Sequence, residues 1–63
     1  MDDFKERLKI EKEELAEKIE KLKVFIKSES FNSINDEQKV LLDIQVKAMD
    51  TYYTCLHHRS TNL

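Results

Sequence analysis

Gln45, Tyr52 and Arg59 recur at seven-residue steps, each three residues after an apolar position: Leu42, Met49 and Leu56. At 3.6 residues per turn the two series form neighbouring stripes on one face of a helix. The Leu/Met/Leu stripe reads as core, and the Gln/Tyr/Arg stripe lies at its edge, where polar groups meet a partner or a ligand. The chemistry this allows is recognition of an anion. The planar fork of Arg59 makes paired hydrogen bonds to phosphate or carboxylate, Tyr52 stacks and donates, and Gln45 hydrogen-bonds. A structural reading stands beside it: Gln45 in an interhelical hydrogen bond, Tyr52 as amphipathic core, and Arg59 paired with a helix-one carboxylate such as Glu6.

Other reactive residues carry less. Cys55 and His58 are spaced i,i+3 on a helix, but His57 points about 100° away from His58. Two ligands fall short of the four of a structural zinc site, so no metal is expected. Cys55 otherwise reads as a small buried hydrophobe. Nucleophilic catalysis by Cys55 or Ser60 with a histidine lacks a preorganised oxyanion hole. The paired carboxylates Asp2/Asp3 and Glu13/Glu14 fall on terminal or exposed positions, which suit general acids poorly. No enzyme and no cofactor is expected. The aromatics Phe4, Phe25, Phe31, Tyr52 and Tyr53 are spread along the chain as core residues are, rather than grouped as a base-stacking platform.

The elements that position these residues are helices. Phe4, Leu8, Leu15, Ile19, Leu22 and Ile26 form a helical stripe with one gap, at Glu11 and Lys12, and predict a first helix over about 3–27. Asp3 with Glu6 resembles a capping box, Asp2 and Asp3 suit the positive end of the helix dipole, and Glu14/Lys18 and Glu17/Lys21 are favourable i,i+4 pairs. Residues 28–35 form a joint rich in Ser and Asn, in which Phe31 and Ile34 are too apolar for a solvated loop. They predict one helical or 3₁₀ turn folded over the end of the helices. Asn35 as N-cap with Gln38 at N3 opens a second helix over about 36–59, and 60–63 is expected to fray. A short joint makes the helices antiparallel. Tyr52, His57, His58 and Arg59 then approach Lys5, Arg7, Lys9 and Lys12, giving a basic end on a chain whose net charge is −2.

Composition narrows the classes further. Glycine and proline are absent, against averages of about 7% and 5%. That removes Gly-rich phosphate loops, nucleophile elbows and primed hairpin turns. Charged residues make up 38% of the chain with both signs interspersed, which describes a solvated helical surface. The acidic balance argues against general binding to duplex nucleic acid. A charged start, MDDFKERLKIEKEE, and no apolar run of about 18 residues predict neither a targeting peptide nor a membrane span. One cysteine without a secretory signal points to a reducing cytoplasm. A chain of 63 residues lies below the size at which one core stabilises a monomer comfortably, so self-association is expected. The second apolar side of helix two, Leu41, Ile44, Ala48 and Cys55, is the expected interface.

RLKIEKEEL, KIEKLKVFI, SESF and the run LLDIQVKAMDTYYTCLHHR resemble a family of very small helical-hairpin proteins encoded by phages and prophages, including crAss-like phages. The resemblance covers almost the whole chain. Its pattern, L-L-x-x-Q-x-x-x-M-x-x-Y-x-x-x-L-x-x-R, falls on Leu41, Leu42, Gln45, Met49, Tyr52, Leu56 and Arg59. It implies a phage accessory protein, working in the cytoplasm of an infected bacterial host, with no attached chemistry. The ending HHRSTNL adds no further recognition element.

The expectation is therefore an all-α protein: a two-helix antiparallel hairpin with a short apolar joint, one unit spanning 1–63, assembling into an oligomeric bundle. It is expected to act without catalysis, by stoichiometric binding against a host defence component. Two versions remain open beside a purely structural module. In one it blocks a host protein with a helix face; in the other it sequesters a small anionic nucleotide at a basic junction of Arg59, Tyr52 and Arg7 or Lys12, with Gln45 further in.

Overall fold

The computed structural model describes residues 3–62. They form three helices, α1 (Phe4–Ile26), α2 (Glu29–Asn32) and α3 (Asp36–Thr61), and no strand. The protein is all-helical. The place of Asp2 at the helix dipole and of Leu63 in the tail lies outside the described residues.

Each helix starts and stops for a local reason. Asp3 holds an extended backbone, and its carboxylate accepts the Lys5 N–H at 2.9 Å. The cap thus falls on the second helical residue instead of Glu6, as the capping-box reading expected. At the other end Ser28 turns extended, and its hydroxyl donates to the Phe25 carbonyl at 2.6 Å. The same carbonyl also accepts the Ser28 N–H at 2.9 Å, so Ser28 closes the end of α1 with both its backbone and its side chain. No described residue has a positive φ, so α1 ends without a left-handed residue.

The joint is structured. α2 is a single turn that sets Phe31 edge-on against Phe25, with ring centroids 6.2 Å apart. The Lys39 ammonium lies 5.8 Å from the centroid of the same ring. Phe31 is thereby held between the end of α1 and the first turns of α3, and Ile34 beside it is half-buried. Asn35 then caps α3, its side-chain oxygen accepting the Gln38 N–H at 2.8 Å.

α3 runs past the boundary expected at residue 59. Ser60 Oγ donates to the Leu56 carbonyl at 3.0 Å, and Thr61 Oγ1 and Asn62 Nδ2 donate to the His58 carbonyl at 3.1 and 2.8 Å. The His58 carbonyl also accepts the Asn62 N–H at 3.2 Å, and α3 extends to Thr61.

The core is small. Leu8, Leu15 and Ile19 of α1 meet Val46 and Leu56 of α3, with Leu22, Ile26, Met49 and Tyr53 packed around them. Lys12 meets His57 and Lys23 meets Asp50, while Arg59 reaches Phe4. Residue numbers therefore rise on α1 as they fall on α3. The molecule is 47 Å long and only 16 by 14 Å across. That cross-section holds helices 8–10 Å apart but leaves no room for an interior layer.

Two placements differ from expectation. The core-facing stripe of α3 is Val46 and Leu56, both buried, with Met49 and Tyr53 half-buried beside them, so the tyrosine against the core is Tyr53, and Tyr52 is 45% exposed. Successive helical residues diverge by about 100°, so only one of two adjacent tyrosines can face α1. Cys55 is exposed rather than buried by its own chain. It shares that exposure with Leu41, Ile44 and Ala48, leaving the second apolar side of α3 uncovered within one chain.

Candidate functional site

Phe4, Arg7, Leu8 and Glu11 follow the spacing i, i+3, i+4, i+7, which puts them on one face of the first two turns of α1. Leu8 is 3% exposed and anchors this face to the core. The last turn of α3 adds Arg59, whose guanidinium carbon stands 5.9 Å from the centroid of the Phe4 ring. Together these five residues line an open concavity of 370 Å³. A volume of that size falls at the lower end of the range for small-molecule sites, about 300–1,000 Å³.

The lining is chemically mixed. Arg7 and Arg59 contribute guanidinium groups, Phe4 contributes an aromatic ring, and Glu11 contributes a carboxylate. Leu8 forms an apolar floor. A compact anion attached to a flat or polar group matches such a surface, because each part finds a complement there.

Beside the concavity the gap in the α1 stripe is filled by a polar pair. Lys12 lies half-buried on the core side, and its Nζ is 3.3 Å from His57 Nδ1. A lysine has only donors, so the bond requires that Nδ1 accept. The His57 ring stacks on Tyr53, with centroids 6.5 Å apart and planes 14° from parallel, and meets His58 edge-on at 5.8 Å. Tyr53, His57 and Lys12 thus continue the core stripe toward the basic end with groups that tolerate water.

The Sequestin family model matches residues 2–62, nearly the whole length. The chain belongs to the Sequestin family. No curated protein and no solved structure matches it.

Within this Sequestin-family chain the candidate residues separate into three groups. Arg59 and Arg7 come together in the concavity. Lys12 stands next to it, engaged with His57. Tyr52 and Gln45 are exposed and outside the lining, and the Gln45 side chain reaches Met49 Sδ of its own helix at 4.0 Å. The interhelical bond considered for Gln45 is therefore replaced by an intrahelical contact. Arg59, considered as a partner for Glu6, instead lies over Phe4.

Sequence reasoning missed Phe4 and Glu11 as site residues. Both were visible as members of the i, i+3, i+4, i+7 face that includes Arg7, but Phe4 read as core and Glu11 as a gap. Among the described residues no group of three or more His, Cys, Asp or Glu side chains converges to hold a metal. Among the described residues no helix is long and apolar enough to cross a membrane.

Proposed function

We propose that this chain is a non-enzymatic binder that sequesters a small anionic molecule, of nucleotide type, at the concavity between Arg7, Arg59 and Phe4. The observation that carries the reading is that Phe4 and Arg7, from the start of the sequence, and Arg59, from its end, line one concavity of 370 Å³, with the Arg59 guanidinium 5.9 Å from the exposed Phe4 ring. Guanidinium pairs suit phosphate, and the ring suits a base or another flat group. The family name itself denotes sequestration.

In this reading the antiparallel two-helix hairpin is the building unit and a second copy covers α3 along Leu41, Ile44, Ala48 and Cys55. Leu41 is 49% and Ile44 57% exposed in the single chain. A bare stripe of that kind favours assembly in a protein whose own core is this small. Tyr52, on the same side of α3, would then reach a neighbouring concavity rather than its own. The protein acts as a phage accessory product in the bacterial cytoplasm, where removal of a signalling nucleotide would blunt host defence.

The same uncovered stripe supports a second reading, in which it docks on a host defence protein. Thermal unfolding against a panel of nucleotides separates the two. A ligand at 100 times its dissociation constant adds about 2.7 kcal/mol of stability. Absence of any shift with mono-, di- and cyclic nucleotides at millimolar concentration, together with an apolar patch that stays open in the assembled protein, would favour the host-protein reading and reject sequestration.

A further inference from the structure

A purely anion-binding hollow has no use for a carboxylate, yet Glu11 lines the concavity together with Arg7 and Arg59. It occupies the position one turn beyond Arg7, on the same face of α1, in the gap that breaks the apolar stripe. A negative charge there opposes any added anion. Its two oxygens also accept up to four hydrogen bonds.

We infer that Glu11 is a specificity-determining residue of this site, selecting a ligand that presents hydroxyl or amino donors next to its anionic group and turning away bare polyanions. This rests on the sequestration reading. The two halves of the effect come from one group. Donors such as a vicinal diol pair with the carboxylate in charge-assisted hydrogen bonds, which are about twice as strong as neutral ones. A compact polyanion without donors meets the same carboxylate as a like charge. The cell holds such polyanions in abundance, and a sponge built only of arginines would fill with them. Selectivity therefore comes from a repulsive element as much as from the attractive ones.

Glu11 is exposed, and it lies in the same concavity as Phe4, the ring on which a flat ligand would rest. A ligand stacked on Phe4 in this concavity would share its lining with Glu11 as well as with Arg7 and Arg59. Replacing Glu11 by alanine removes the acceptors from an exposed helical position at no cost in helix propensity.

The test is calorimetric titration of the intact wild-type chain and Glu11→Ala with three probes: ADP, its 2′,3′-dideoxy analogue and inorganic pyrophosphate. The wild type is expected to prefer ADP to the dideoxy analogue by about tenfold, the range of a charged hydrogen bond. Glu11→Ala should abolish that preference and, in the same protein, bind pyrophosphate several-fold more tightly. Opposite changes for two ligands cannot come from loss of fold, and circular dichroism of both proteins checks helicity. Binding of ADP and its analogue with equal affinity by the wild type, or parallel changes for all three probes in the variant, overturns the role of Glu11 and leaves the anion site standing. If none of the probes binds the wild type, both readings fall.

Discussion

The guanidinium of Arg59 stands 5.9 Å from the centre of the Phe4 ring, joining the last turn of α3 to the first turn of α1. The contact spans almost the full sequence and forms one wall of the concavity. Exposed cation–π pairs contribute only about 0.5–1 kcal/mol, so the position is dispensable for folding and informative for function.

Arg59→Ala is therefore expected to lower stability by no more than about 1 kcal/mol and to leave helicity unchanged while removing anion binding. Arg59→Lys should keep the charge but lose the fork, giving weaker binding than wild type and stronger than alanine. Urea unfolding and nucleotide-dependent melting read the two effects separately. A large stability loss with intact ligand response would make Arg59 structural.

Leu56 is fully buried at the heart of the core. Leu56→Ala should cost about 2–5 kcal/mol, the range for emptying a packed leucine site. In so small a chain that is a large share of the total stability, and far-ultraviolet circular dichroism should show a chain largely unfolded at 37 °C. A loss below 1 kcal/mol would mean that α1 and α3 do not pack on Leu56 in solution.

The two neighbouring tyrosines should respond differently. Tyr53 packs on the core and under His57, whereas Tyr52 is 45% exposed. Tyr53→Ala is expected to destabilise by roughly 2–4 kcal/mol, as aromatic truncations in a partly buried setting do. Tyr52→Ala should change the unfolding of the dilute, unassembled chain by less than about 0.5 kcal/mol. Equal losses would show that α3 is rotated from the arrangement described.

Self-association is checked by sedimentation. The wild type is expected to sediment as a dimer or larger species at micromolar concentration, and Ile44→Asp to shift it toward the monomer, because a carboxylate at a covered apolar position is left unpaired. A stable wild-type monomer over that range would sink the assembly reading and leave the α3 stripe for another partner.

Asn35 supplies the side-chain cap of α3 through Gln38. Asn35→Ala should cost about 1 kcal/mol, and Asn35→Asp nearly nothing. Thermal melting of the pair distinguishes a lost cap from general damage at the joint, since only the aspartate variant retains the acceptor.

Much of the fold was legible in the sequence because its causes are local. The period of Leu8, Leu15, Ile19 and Ile26 declares a helix with one buried face, and Asn35 followed by Gln38 declares where the next one starts. Phe31 and Ile34, apolar in a stretch of Ser and Asn, announced a folded joint. Each follows from residues within a few positions of one another, where backbone geometry alone sets the spacing.

What only the tertiary structure decided is rotation and company. α3 is apolar on more than one side, so its sequence admits several rotations about its axis. Packing against α1 selects the one that buries Val46 and Leu56, half-covers Tyr53 and leaves Tyr52, Cys55, Leu41 and Ile44 outside. The site depends on the same choice. The seven-residue series of Gln45, Tyr52 and Arg59 marks a helix face, but only Arg59 reaches the concavity, since its place at the end of α3 brings it to Phe4, Arg7 and Glu11. Those contacts join residues about fifty positions apart. Periodicity along one helix carries no information about which turn of another helix it will meet.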